Sequence, residues 1–182
     1  MPLRQNDVLR GAMELLDEVG LDELTTRRLA DRLGVRVGAL YWHYPSKAAL
    51  LDALAEQIIA EALAGWEPVA AEWDDRLREL AGRARAAMLA HRDGARLTAS
   101  FVEPPPSGVV YMRTLIEVLR TAGATEQGAA AGADTVTSFV NGYTLEEQAR
   151  KVGRDSPEQR DALFGIELGI VVSGIRAELL HR

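Results

Sequence analysis

The 182-residue sequence contains no cysteine, and aromatic residues make up only 5% of it. Without cysteine there are no disulfide bonds, thiolate metal sites or cysteine nucleophiles. No run of about 18 apolar residues occurs, so we expect no membrane-spanning helix. The first twenty residues lack the apolar core of a signal peptide. These absences favour a cytoplasmic protein.

The residues that are abundant favour helix. Alanine, leucine, arginine and glutamate are all common in the sequence, and all four have high helix propensity. Apolar residues recur at helical spacing, and no convincing strand pattern is found. We therefore predict an all-α fold, in which Thr25 and Ser46 cap the second and fourth helices. The predicted helices cover residues 5–19, 26–33, 36–43, 47–63, 72–90, 95–102 (short or irregular), 107–122, 126–150 and 158–181.

Charge is unevenly distributed along the chain. The net charge is −6, which by itself argues weakly against nucleic-acid binding. Residues 26–47, however, carry five basic side chains and a single acid, Asp31. A basic patch on an acidic body can dock on phosphates, although a solvated helix face has the same composition. The basic residues of this segment are Arg27, Arg28, Arg32, Arg36 and Lys47.

Residues 25–43 have the pattern of a helix-turn-helix unit. A helix is followed by a three-residue turn that begins with Gly34, and then by a short second helix. We expect Leu40 to anchor the second helix to the core, and we interpret Trp42 as a structural residue. The residues expected to face outward are Arg36, Val37, Gly38, Ala39, Tyr41 and His43.

The run LTTRRLADRLGVRVGALYWHYPSKAALLDAL resembles the DNA-binding domain of the tetracycline-repressor (TetR) family. The later blocks HRDGARL, GYTLEEQ and FGIELGIVVSGI resemble the C-terminal domain of members that respond to tetracycline. The resemblance implies a repressor that binds a double-stranded DNA operator and is released by a small-molecule effector. It also implies a helix-turn-helix domain at 1–46, a connecting helix at 47–63 and a ligand-binding and dimerisation domain at 64–182.

The resemblance assigns DNA contacts to individual positions. Arg27 matches an arginine that reaches a base edge, and arginine can donate two hydrogen bonds to guanine. Thr26, Tyr41 and Lys47 match phosphate-contacting positions, which fix register without reading sequence. His43 matches another position that faces DNA, although Tyr41 and His43 also fit a boundary between core and surface.

The sequence departs from tetracycline-responsive members in the second helix of the unit. Val37, Gly38 and Ala39 stand where those members have glutamine, proline and threonine. Valine and alanine can touch thymine methyl groups but cannot hydrogen-bond to bases, so we expect a different operator. Arg36 either replaces a base or phosphate contact or is merely solvated.

A second departure concerns the ligand. Leu63, Leu80 and Ala84 replace a histidine, an asparagine and a phenylalanine of the tetracycline site. Thr98 replaces the histidine that binds magnesium, and only Glu146 keeps the expected acid, which could equally lie in a surface ion pair. We therefore expect no metal or cofactor, and a small, largely apolar effector other than tetracycline. Further candidate ligand contacts are Phe101, Thr137, Asn141 and Gln148.

The last two predicted helices, 126–150 and 158–181, are expected to form a four-helix interface between two copies of the chain. Glycines recur at a spacing of four residues in both helices, which leaves a smooth strip for close approach. An apolar stripe runs beside the second strip. Packing within one subunit is the alternative. The stripe consists of Phe164, Leu168, Val171, Ile175 and Leu179.

Two other functions compete with this interpretation. An enzyme is disfavoured, because His43, His91 and His181 show neither metal-ligand nor triad spacing and no phosphate-binding glycine loop occurs. The other alternative is a helical binding protein with a vestigial DNA-binding domain. The acidic net charge and the apolar second helix of the unit leave room for it.

Overall fold

A computed structural model describes residues 3–67, 72–101, 103–150 and 156–179. Nine helices and no strand occur within these ranges, so the prediction of an all-α fold is confirmed. The helices are α1 (Gln5–Val19), α2 (Thr26–Leu33), α3 (Val37–Tyr41), α4 (Lys47–Leu63), α5 (Trp73–Leu89), α6 (Gly94–Thr98), α7 (Pro106–Thr121), α8 (Glu126–Ala149) and α9 (Pro157–Leu179).

Local capping sets the bounds of the N-terminal helices. The Thr25 hydroxyl accepts a hydrogen bond from the Arg28 amide at 3.2 Å, and the Ser46 hydroxyl accepts one from the Ala49 amide at 3.0 Å. Both predicted caps are thereby confirmed. Gly34 ends α2 in a left-handed conformation with φ of 65°, which glycine adopts without a steric penalty. These signals place α3 directly after a tight turn.

The first three helices pack with the beginning of α4 around a leucine-rich core. Leu16, Leu29 and Leu54 are fully buried, and Leu40 anchors α3 with only 3% of its surface exposed. Because α3 is a short helix with one buried leucine, its other faces remain open to solvent. This arrangement presents α3 on the outside of the N-terminal bundle.

The second half of α4 packs with α5, α6 and α7, while α8 packs on α5, α7 and α9. Leu77, Leu115, Leu119 and Val136 are fully buried in this second layer of the core. The same α4 therefore contributes to both parts of one continuous hydrophobic core. Among the described helices, none has the length and apolar character needed to cross a bilayer.

Some predicted details differ from the structure. α3 ends at Tyr41 rather than at residue 43, since the chain must leave helical geometry ahead of Pro45. Val110 on α7 is apolar, yet it is 40% exposed. Between the last two predicted helices, residues 151–155 lie outside the described part of the chain, as do the Leu179 side chain and His181.

We predict that Gly94→Ala destabilises the protein by about 1–3 kcal/mol, the usual cost of overpacking. A Cβ at position 94 would press on the carbonyl oxygen of Met88, a backbone atom that cannot move aside. Gly82→Ala on α5 is the control, because no atom lies within 4 Å of its added Cβ and alanine favours helix by up to about 1 kcal/mol. Denaturant unfolding at equal protein concentration measures both. Equal stability of the two variants would contradict the prediction.

Candidate functional site

The predicted DNA-contacting residues lie on α2, on α3 and at the start of α4. They differ in how far they are exposed to solvent. Those with exposed side chains or backbone are Arg27, Arg36, Gly38, Tyr41 and Lys47. Those that are half-buried are Thr26, Val37, Ala39 and His43. Their contacts with DNA remain predictions.

Ion pairs within the domain sort its basic residues into two groups. Arg28 pairs with Glu23 at 2.7 Å, and Arg32 pairs with Glu18 at 2.6 Å. The hydrogen bond that Arg32 donates to Glu18 is the main cause of the raised pKa of Arg32. These two cations are therefore already compensated by acids. Three cations of the segment have no ion pair or hydrogen bond from their side chain within the described residues: Arg27, Arg36 and Lys47.

Trp42 corrects the sequence interpretation. It was expected to be structural, yet 90% of its surface is exposed at the end of α3. The exposure of Trp42 could have been predicted from helical periodicity. Because Leu40 faces inward, a residue two positions later points roughly to the opposite side of the helix. Trp42 and the 46%-exposed Tyr41 form an aromatic edge beside the cations.

A cavity of about 500 Å³ lies among α4, α5, α6, α7 and α8. α4 contributes Ile58, Ile59 and Ala62 to its wall, and α7 contributes residues from Gly108 to Ile116. Almost all of the wall is apolar, as small-molecule sites commonly are. The predicted ligand contacts that line the cavity are Ala84, Thr98, Phe101, Thr137 and Asn141.

Four predicted ligand contacts are not part of the cavity wall: Leu63, Leu80, Glu146 and Gln148. Leu63 lies at the end of α4 outside the lining. Leu80 is fully buried, and its backbone carbonyl accepts a hydrogen bond from the Tyr111 hydroxyl at 3.3 Å. Glu146 is exposed and pairs with Arg150 on the same helix. The ion-pair alternative for Glu146 is therefore the arrangement that the structure has.

Gln148 was a candidate ligand contact, but its side chain forms hydrogen bonds with the protein backbone. Its amide oxygen accepts from the Ala95 amide at 2.9 Å, and its amide nitrogen donates to the carbonyls of Met88 and His91 at 3.0 and 2.9 Å. Gln148 therefore joins α8 to the end of α5 and the start of α6. It positions the backbone beside the cavity without lining it.

A set of polar contacts between the turn before α6 and helices α1 and α4, called the seam below, was not predicted from the sequence. His91 lies between two acids, with Nδ1 3.1 Å from Asp17 on α1 and Nε2 3.1 Å from Glu61 on α4. The backbone amide of Arg92 donates to Asp17 at 3.0 Å, and its guanidinium donates to the Glu18 carbonyl at 2.7 Å. The turn before α6 is thus bonded directly to the first helix of the helix-turn-helix domain.

Two further contacts extend this seam. The Asp93 carboxylate accepts from the Leu21 amide at 2.9 Å, and Asp93 itself has a positive φ of 57°. Arg96 on α6 donates to both carboxylate oxygens of Asp22, at 2.7 and 2.9 Å. Such bidentate pairs fix orientation as well as distance. The block HRDGARL, noted only for its resemblance, was the available signal for these contacts.

The apolar stripe predicted to join two copies faces the other way. Phe164, Leu168 and Ile175 are buried within the subunit, with at most 5% of their surface exposed. A second row on α9 faces outward instead, where Ile166 and Ile170 are 64% and 68% exposed. Helix α9 is apolar on both sides, so it packs on its own subunit and still presents an apolar face. The outward row comprises Leu163, Ile166 and Ile170.

A buried arginine fixes the position of α9. Arg85 on α5 bonds Glu147 at 2.8 Å and Asp161 at 2.7 Å, and it lies 4.9 Å from the centre of the Phe164 ring. Burial by itself would lower the pKa of Arg85, but the bonds from Glu147 and Asp161 outweigh it and raise that pKa. This charge cluster therefore links α5, α8 and α9, and it lies outside the cavity lining.

We predict that substitutions at two nearby positions, one in α3 and one at its end, differ strongly in their effect on the free energy of unfolding. Trp42→Ala should change the free energy of unfolding by less than about 0.5 kcal/mol, as surface substitutions usually do. Leu40→Ala should cost about 2–5 kcal/mol, because it removes a buried side chain. Urea unfolding followed by circular dichroism compares the two. A large loss for Trp42→Ala would restore the structural interpretation.

Among the described side chains, no group of three or more histidines, aspartates and glutamates is arranged so that it could hold a metal ion. Comparison with known proteins instead points to DNA and small molecules. Residues 8–54 match the family model "Bacterial regulatory proteins, tetR family", and residues 67–168 match "Tetracyclin repressor-like, C-terminal domain". The class A tetracycline repressor of transposon 1721 from Escherichia coli is 45% identical over 151 residues, which are 81% of this chain and 68% of the relative.

Solved structures agree over almost the whole chain. A TetR variant from Acinetobacter baumannii AYE in complex with minocycline is 37% identical, with a TM-score of 0.85, and covers 96% of this chain and 97% of its own. BioQ with its double-stranded DNA operator is 34% identical, with a TM-score of 0.78, and covers 97% and 99%. The exposed helix-turn-helix unit, the apolar cavity and these matches together show that the chain belongs to the TetR family of transcriptional regulators.

Proposed function

We propose that this chain is a ligand-released repressor that binds a pseudo-palindromic operator as a homodimer. It acts in the cytoplasm, and it acts by binding rather than by catalysis. One observation carries the proposal: a single helix, α4, begins with exposed Lys47 beside α3 and lines the cavity with Ile58, Ile59 and Ala62. The relatives include one structure with minocycline and one with an operator, so both kinds of partner occur among similar proteins.

On DNA, α3 enters the major groove and the unpaired cations hold the duplex. Arg27 reads a base from α2, and Lys47 contacts a phosphate together with the amide groups at the start of α4, which favour anions. Thr26 and Tyr41 add phosphate contacts. Because Val37 and Ala39 offer only apolar contacts, thymine methyl groups are the features that α3 can recognise directly.

Two copies associate through α8 and α9. The outward row of Leu163, Ile166 and Ile170 supplies an apolar surface, and exposed Gly165 leaves room for a facing helix, since no atom lies within 4 Å of its added Cβ. Association sets the two α3 helices about 34 Å apart, the spacing of successive major grooves. The dimer is therefore part of the DNA-reading surface.

Two connections transmit the effect of a ligand. α4 spans about 25 Å from the DNA side to the cavity. The second connection is α6, whose Thr98 lines the cavity and whose Arg96 is bonded to Asp22 beside α1. A ligand that favours another position of either helix changes the separation of the two α3 helices. Because such coupling is reciprocal, the operator weakens ligand binding by the same factor.

We predict that Arg27→Ala weakens operator binding by about 1–3 kcal/mol and relaxes specificity at one base pair. Arg32→Ala is the matched control on the same helix, because Arg32 already forms ion pairs with Glu14 and Glu18. This substitution should leave operator affinity unchanged. Duplexes selected from a random library and fluorescence anisotropy across a salt series provide the measurement. If the wild type selects no sequence, or if both variants bind equally well, the proposed DNA contacts are wrong.

Ile170→Glu should convert the dimer to a monomer at micromolar concentration, since it buries a charge in an apolar interface. Ile170 is 68% exposed in the isolated subunit, so the subunit itself should remain folded. Val110→Glu, at an exposed position on α7, is the control and should stay dimeric. Sedimentation velocity measures the mass. A dimeric Ile170→Glu variant would place the interface elsewhere.

A further inference from the structure

We propose that the effector is an apolar molecule with an anionic head group, and that Arg113 on α7 binds this head at the mouth of the cavity. This inference rests on the proposed function, because it names the ligand class of the same cavity. It does not follow from the predicted ligand contacts, among which Arg113 is absent.

The residues that line the cavity determine the chemical character of most of the ligand. Side chains such as Ile58, Met88, Met112 and Ile116 supply nearly all of the lining. An apolar wall gains free energy only by covering apolar surface. Most of the ligand must therefore be hydrocarbon or aromatic.

The hydroxyl groups that line the cavity already donate their protons to backbone carbonyls. They therefore cannot donate a hydrogen bond to a polar group of the ligand. The Thr98 hydroxyl donates to the Ala95 carbonyl at 3.1 Å, and the Thr137 hydroxyl donates to the Ala133 carbonyl at 2.9 Å. The Tyr111 hydroxyl donates to Leu80. Two lining residues keep side-chain donors without a partner in the described structure, namely Asn141 and Arg113. A ligand that satisfies them must carry hydrogen-bond acceptors.

Charge selects an anion over a neutral acceptor. No aspartate or glutamate belongs to the described lining, and Glu146, the acid expected there, pairs with Arg150 on the surface. Arg113 is thus the charged group of the described wall, and it has no ion pair within the described residues. It also lines a neighbouring surface groove that contains Arg76 and Glu117, and it is exposed, so it lies at the boundary between the cavity and the surface. Within the described cavity lining a cationic head would meet Arg113 and no carboxylate.

Two fluorescent probes with the same aromatic body test the proposal. 1-Anilinonaphthalene-8-sulfonate carries an anionic group, whereas N-phenyl-1-naphthylamine lacks it. We expect the unmodified chain to bind both probes, to bind the sulfonate more tightly, and to release either probe when the other is added. Displacement establishes a shared site.

Variants then assign the anion preference to one residue. Arg113→Gln should weaken binding of the sulfonate about five- to tenfold, the loss of one charge-assisted hydrogen bond at a partly exposed position, and should leave binding of the neutral probe unchanged. Arg120→Gln is the matched control, because Arg120 is an exposed arginine on the same helix that does not line the cavity. It should change neither affinity.

Three results would overturn the inference: equal loss of both probes in Arg113→Gln, no loss of either, or tighter binding of the neutral probe by the wild type. Unchanged binding of the neutral probe also shows that Arg113→Gln remains folded. Operator selection with the wild type tests the proposed function separately. A protein that selects no operator but discriminates the probes as expected retains the ligand class and loses the repressor function.

Discussion

The structure depends on the burial of one helix, α4, in a hydrophobic core that is continuous between the helix-turn-helix domain and the helices around the cavity. α4 packs Leu50 and Leu54 against the helix-turn-helix domain and Ile58 against the helices around the cavity. Ser46 caps its beginning, while Arg83 donates to the carbonyl oxygen of Ala62 at its end at 2.7 Å. With both ends bonded and its middle buried, α4 cannot fray without loss of core contacts. The proposed switch relies on this rigidity, because a rigid helix carries a displacement at one end to the other.

Much of the fold was predictable because its determinants are local. Helix bounds follow from nearby caps such as Thr25, and from the spacing of apolar residues within each helix. The inward position of Leu40 also follows from spacing, since Leu40 is the only leucine in α3. The cavity was predictable only in part. Thr98 and Asn141 line it, whereas Leu80 and Glu146 were assigned by resemblance and lie in the core and on the surface.

The remainder depends on contacts that sequence spacing does not encode. Asp17 and Arg92 are 75 positions apart and still form a hydrogen bond, so the seam required knowledge of how α1 and α6 approach each other. In α9, Phe164 and Ile166 are both apolar, but the first is buried in the subunit and the second is exposed. Periodicity identifies an apolar helix without saying which side faces its own subunit. Trp42 shows the converse error, in which residue type was weighed above helical phase.

The small side chains of α3 have an entropic consequence. Val37, Gly38 and Ala39 have few or no rotatable bonds beyond the backbone. When this segment is immobilised in a groove, almost no side-chain rotamer freedom is lost, whereas long polar side chains lose up to about 2 kcal/mol each. In the proposed complex, short side chains would also let the helix axis lie deeper between the phosphate strands. Groove width and the flexibility of the base steps would then contribute to sequence preference alongside the base edges.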